Sequence, residues 1–194
     1  MKKIIQLFVL CIFLYYQSSG QSQKDKILFH TKNGTEIRVE YDSIFVNNKA
    51  LFGFAKYALD YSSNLNRLIE DHNTNFLFLV ISDSPNRDRL YGFKITNSKV
   101  DSVVDAIASK IKDFDKDGYL EFGGSDLTEE YPSKDSMYYI PSAYYEIRNG
   151  NIYFDSLLTK KKDIEVNGIF LKDQLDENGN CCKVIPKLKK KSKN

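Results

Sequence analysis

The sequence has no Trp, two His, two Met, four Pro and three Cys in 194 residues. With two histidines, imidazole chemistry is confined to His30 and His72, and neither lies in an HExxH or GxSxG pattern. No glycine-rich phosphate loop is present, which excludes the motif-borne nucleotide enzymes. Cysteine is too scarce for a disulfide framework, and no CxxC pair supports a zinc site. The domain must therefore rely on an apolar core. The longest apolar run outside the body is Ile4 to Tyr16, interrupted only by Gln6. It falls short of the roughly 20 residues a membrane-spanning helix needs.

What is present is globular. Hydrophobic residues make up 42% and charged residues 28%, a balance unlike that of disordered or collagen-like chains. The length suits one domain. Thirteen Tyr and thirteen Phe favour strand-rich packing, because aromatic rings fit pleated, half-buried surfaces.

Lys2 and Lys3, the apolar run, and the small residues Ser18 and Gly20 read as an export signal over 1–20, cleaved near Gly20. The expected destination is the periplasm or the outside of the cell. A Lys-Lys leader before a Tyr-, Asn- and Lys-rich body resembles bacterial secreted proteins in style. Without Lys2 and Lys3, the remaining bases equal the 26 acids. That neutrality hides an asymmetry: residues 21–182 carry 20 bases against 26 acids, and 183–194 carry six Lys and no acid. The expected organisation is a leader (1–20), one globular domain (21–182) and a disordered basic tail (183–194). Lys187, Lys189, Lys190, Lys191 and Lys193 suit anionic lipid or glycan. Nucleic acid is disfavoured by export and by the acidic body, which repels phosphate.

Cys11 leaves with the leader, so Cys181 and Cys182 remain. Consecutive Cα atoms across a trans peptide sit about 3.8 Å apart, too close for an unstrained disulfide. The expected reading is two small residues near the end of the domain.

The body alternates between turn signals and apolar runs. Asn33-Gly34, Asn47-Asn48 and Asn149-Gly150 mark hairpin turns. Phe76 to Ile81 is a continuous apolar run expected to form a central strand buried on both faces. Leu51, Phe54, Ala58, Tyr61, Leu65 and Leu68 recur at helical spacing, and the spacing predicts a helix at about 64–71. Val100, Val103, Val104, Ile107 and Ile111 predict an amphipathic helix at about 98–112, with Ser98 as N-cap. Ile164 to Leu171 reads as a strand pair. Tyr138-Tyr139 and Tyr144-Tyr145 offer either a recognition face or strand residues pointing alternately in and out. The expected fold class is α+β, mostly antiparallel hairpins with those two helices.

One segment carries chemistry: Asp113-Phe114-Asp115-Lys116-Asp117-Gly118-Tyr119-Leu120-Glu121. Acids at positions 1, 3 and 5 converge when the chain curls round a cation, Gly at position 6 permits the sharp turn, and an apolar residue at position 8 pins the loop. The segment resembles the calcium-binding loops of EF-hand, dockerin and integrin-repeat proteins, over about a dozen residues. The resemblance implies Asp113, Asp115 and Asp117 as side-chain ligands, Tyr119 as a carbonyl ligand, and Glu121 as a direct or water-mediated one. Position 12, where the EF-hand has Glu, is Gly124 here. Either Asp126 supplies the last ligand, or Glu121 at position 9 completes the site as in the integrin-repeat loop. Asp126-Leu127-Thr128-Glu129 could instead be a capping box opening a short helix. Without a cation, the segment reads as a solvated Asp-rich turn. A low-affinity site suited to millimolar external calcium fits best; magnesium demands a tighter octahedron.

The expected function is thus that of an exported, non-enzymatic binding or structural domain with a weak calcium loop at 113–126. The alternatives are a secreted hydrolase, which would have to draw on His30 or on His72 beside Asp71, and a surface-associated protein held by its lysine tail.

Overall fold

A computed structural model describes residues 25–54, 58–96, 99–128 and 130–188. The leader, Ser98, Glu129 and Lys189 to Lys193 lie outside these residues. The architecture is essentially all-β and antiparallel, which corrects the α+β expectation. A meander of β1 (Lys26–His30), β2 (Glu36–Glu40), β3 (Ser43–Val46) and β4 (Lys49–Gly53) forms the first sheet. The central sheet runs β5 (Ala58–Leu59), β7 (Thr74–Ser82), β8 (Arg89–Ile95), β9 (Val100–Ile107), with β6 (Arg67–Asp71) beside β5 along the same edge of β7. A third sheet joins β10 (Leu120–Gly124), β12 (Ala143–Arg148) and β13 (Asn151–Phe154). A short pair joins β11 (Ser136–Tyr138) to β14 (Val184–Pro186).

Period two explains the layering. Successive strand residues face opposite ways, so a strand covered on both sides must be apolar throughout. In β7, Leu77 and Leu79 pack with Ile37, Val39, Ile44 and Val46 of the first sheet. Phe76, Phe78 and Val80 pack instead with Phe122 of β10 and Ile147 of β12. The central sheet therefore lies between the other two, as the run 76–81 implies. Phe122 is fully buried, with its ring 5.0 Å from Phe78 and 5.6 Å from Tyr145. Such a side chain contributes about 1.5–3 kcal/mol by burial, which fixes β10 firmly to the core.

Both expected helices are strands. The region 98–112 contains β9, paired with β8, and a register shift between Gly92 and Phe93 leaves Val103 without an opposite residue. This bulge inserts one residue into a two-residue period. Val100 consequently faces the first cluster and Val104 the second, while Val103 is exposed. A period of two with one insertion mimics the spacing of a helix. In 64–71, β6 sends Leu68 and Ile69 to opposite clusters, which a helical face would not do.

The one helix of eight or more residues among those described, α1 (Ser156–Asn167), overlaps the segment read as a strand pair. Asp155 caps it, accepting from the N–H groups of Leu157 and Leu158, and Gly168 ends it at φ 77°. Its buried face is largely polar: Thr159, Asp163 and Asn167 beside Leu158. An apolar stripe was therefore absent from the sequence. Among the described residues, no helix is long and apolar enough to cross a membrane. No helix starts at Asp126, so the capping-box alternative is not realised among the described residues.

The expected boundary at 182 also moves. β14 lies inside the segment read as tail, and Cys182 and Ile185 are buried with Met137, Tyr139 and Ile140. Cys181 and Cys182 form a disulfide across a cis peptide with Cα atoms 3.0 Å apart. The 3.8 Å spacing expected from the sequence is that of a trans bond. Tyr138 is exposed and Tyr139 fully buried, the alternation expected of a strand edge, while Tyr144 and Tyr145 are both half-buried.

Candidate metal centre

The acidic segment connects β9 to β10. Lys112 and Glu121 close it by a reciprocal pair of backbone hydrogen bonds, 3.0 and 2.9 Å, so the chain between them must turn within eight residues. Lys116 at φ 70° and Gly118 at φ 96° supply the left-handed backbone for this turn. The Asp113 carboxylate accepts from the N–H groups of Lys116 (2.6 Å) and Gly118 (3.1 Å), curling the loop around itself. Asp117 accepts from Tyr119 N–H at 2.9 Å.

Glu121 enters from the strand. Its neighbour Phe122 points into the core, so period two directs Glu121 to the other face of β10, beneath the loop. Its side chain is 0% exposed. One carboxylate oxygen, Oε2, accepts from Phe114 N–H at 2.5 Å. The other, Oε1, is buried with no hydrogen-bond partner, and Asp115 Oδ1 is in the same condition. One carboxylate oxygen from each of Asp113, Asp115, Asp117 and Glu121 lies within 4.8 Å of the others. Burial pushes the Glu121 carboxyl up to about 7; the Phe114 N–H opposes this, and the charges of Asp115, Asp117 and Asp113 add to it. The arrangement is a cluster of hard oxygen donors that can hold a metal ion.

The cluster holds four of the sequence-expected ligands. For Tyr119 the expected ligand atom is the carbonyl; its ring lies 5.4 Å from the Arg148 guanidinium. Asp126 is placed elsewhere: Arg89 Nη1 meets it at 2.5 Å, and the same guanidinium reaches Asp105 at 2.8 Å through Nε. Gly124, at position 12, is the last residue of β10. At Gly123, φ is 130° and an added Cβ would collide with the Ala143 carbonyl, so the β10–β12 approach requires glycine there.

One acid was not anticipated. Glu146 of β12 stands directly opposite Glu121 and is itself buried. Burial raises its carboxyl, Arg148 lowers it by an ion pair at 3.1 Å, and Asp117, Asp155 and Asp115 raise it again. Two acids directly opposite on one strand pair repel. Only the register places Glu146 there; in sequence it is one Glu among many.

The histidines do not join this site. His30 is exposed at the end of β1, and His72 Nδ1 lies 3.0 Å from Asp71, largely in solvent. No family model, curated protein or solved structure matches the chain.

Proposed function

We propose that the protein is an exported, non-enzymatic β-domain whose 113–121 loop binds one calcium ion at low affinity, stabilising the fold or a binding surface. The observation that carries this reading is Glu121 Oε1, a fully buried carboxylate oxygen without a donor, set among three further carboxylates. Burying such an oxygen unpaired is costly, and a divalent cation relieves both the missing partner and the mutual repulsion. Calcium is favoured because it accepts six to eight oxygens in flexible geometry, so that carbonyls and water can complete what the carboxylates begin. Asp113, Asp115, Asp117 and Glu121 supply side-chain oxygens and Tyr119 its carbonyl. The Lys-Lys leader supports export.

Titration calorimetry with millimolar calcium tests the proposal. At ten to a hundred times the dissociation constant, linkage gives about 1.4–2.7 kcal/mol. For a domain of this size, that is a rise of about 3–8 °C in melting temperature, reversed by chelator. Absence of heat together with a melting temperature unmoved by chelator would discard the calcium site. Asp126→Asn is expected to leave the calcium heat unchanged and to cost about 0.5 kcal/mol, because its ion pair with Arg89 is exposed. Loss of the calcium response in this variant would restore Asp126 as a ligand. Export is checked by sequencing the N-terminus of protein recovered outside the cytoplasm, expected near Gln21.

A further inference from the structure

The inner face of α1 is buried through Thr159, Asp163 and Asn167. Its outer face carries Leu157, Lys160, Lys161 and Ile164, spaced three or four apart and hence side by side. Leu157 is 79% exposed and Ile164 42%. Ile169 and Phe170, just past the helix, are exposed as well. Leu188 joins them: it rests against Gly168, where an added Cβ would strike its Cδ2, and it too is exposed. Lysines border these apolar groups. Lys160 Nζ lies 5.7 Å from the Phe170 ring and Lys161 is exposed beside it on the helix, whereas Lys187 Nζ lies 3.5 Å from the Tyr131 ring. The sequence then continues with Lys189, Lys190, Lys191 and Lys193, and it has no acid after Glu177.

We propose that this face docks on an anionic membrane surface. The lysines meet lipid phosphates, while Leu157, Ile164, Ile169, Phe170 and Leu188 enter the boundary between headgroups and acyl chains. Charge complementarity points to an anionic partner. The aliphatic side chains single out lipid, because glycans and nucleic acids reward lysine but offer no apolar layer to bury leucine and isoleucine. Either signal alone gives weak attachment, and the two together are what reversible membrane binding requires. Lysine stems can lie along the apolar layer with their ammonium groups among the phosphates. The acidic excess of residues 21–182 repels other faces and thereby orients the molecule.

This inference does not use the metal centre, and its test runs in chelator so that the two readings fail separately. The chain beginning at Gln21, which contains every residue of the three core clusters, is floated with phosphatidylcholine vesicles and with vesicles containing about a quarter phosphatidylglycerol. Partitioning is expected to be at least about tenfold stronger on the anionic vesicles, since each lysine near such a surface is worth about fivefold. Replacing Lys189, Lys190, Lys191 and Lys193 with Gln should remove most of that difference. Ile169→Ser with Phe170→Ser and Leu188→Ser should weaken binding about tenfold with little change in melting temperature. Leu157→Ser alone, at the most exposed site, should weaken it about threefold and guards against a fold defect in the triple variant. Equal binding to neutral and anionic vesicles would overturn the proposal. So would serine variants that bind like the parent, or retention on heparin or duplex DNA with no vesicle partitioning.

Discussion

Asp163→Ala is expected to lower the unfolding free energy by about 4 kcal/mol, a fall in melting temperature of about 10 °C or more. Asp163 is 0% exposed and accepts three hydrogen bonds: from Tyr139 O–H at 2.7 Å, Ser142 N–H at 2.9 Å and Ser142 O–H at 2.6 Å. Those donors belong to the segment between β11 and β12, whereas Asp163 belongs to α1. Truncation leaves the fully buried Tyr139 O–H and the half-buried Ser142 N–H without their acceptor. Each such buried group costs about 1–3 kcal/mol, which is why the loss exceeds the net worth of three ordinary hydrogen bonds. Asn167 pins the same segment one turn later, through Ile140 N–H at 2.7 Å and the Ile140 carbonyl at 2.8 Å.

Two companions separate charge from connectivity. Asp163→Asn keeps an acceptor for Ser142 and is expected to cost about half as much. Tyr139→Phe removes one donor, together with the acceptor of Leu171 N–H, and should cost about 1–2 kcal/mol. In a double-mutant cycle, the Asp163 and Tyr139 losses should fall short of additivity by about 1 kcal/mol, since they share a bond. The burial that makes this bond strong also pushes the Tyr139 hydroxyl up to about 12, with Asp163 adding to the shift. Chemical denaturation of the parent, the three single variants and the double variant measures all of these terms. A loss below about 1 kcal/mol for Asp163→Ala would show that water reaches the network.

This network also explains what could not be read from the sequence. Apolar periodicity reveals a helix only when its buried face is apolar, and α1 buries Thr159, Asp163 and Asn167. The exposed Ile164 and Val166 alternate instead, imitating a strand. In β9 the error ran the other way, because a bulge at Val103 imitates helical spacing. Where local chemistry decides structure, the sequence was legible. Asn149 at φ 53° and Gly150 at φ 70° make the expected turn between β12 and β13, and the run 76–81 is buried on both faces. The acidic loop was legible as a cluster of four acids that could hold a metal ion. Its buried partner Glu146 was not, since a cross-strand neighbour exists only once the register is set. Asp126 misled because nearness in sequence says nothing about Arg89, a residue 37 positions away.

The ion-free protein is expected to lose stability as pH rises from about 5 to about 8, and saturating calcium is expected to abolish that slope. Glu121 ordinarily titrates at 4.5 and is raised to about 7 in the fold. Between those values, the folded chain binds more protons than the unfolded one, so unfolding is increasingly favoured as pH climbs. The stabilisation is fully present below the unfolded value and is lost as pH passes the folded one. At about 1.4 kcal/mol per pH unit, the loss is on the order of 3 kcal/mol. Calcium binds the ionised carboxylate, so below about pH 7 its uptake expels a proton and its affinity weakens up to tenfold for each unit of acidification. With calcium saturating, Glu121 stays ionised in the fold, so its contribution to stability should be nearly independent of pH above about 5. Glu121→Gln isolates this group, because glutamine fills the same volume without the charge. The variant should match the parent near pH 5 and exceed it by roughly 2–3 kcal/mol at pH 8 in chelator. It should gain nothing from calcium. Denaturant titrations of both proteins at the two pH values, each with chelator and with millimolar calcium, provide the measurement. A Gln variant that is less stable than the parent in chelator at pH 8 would mean that Glu121 is not held as a buried, uncompensated acid, and the argument for a cation at this loop would lose its physical basis.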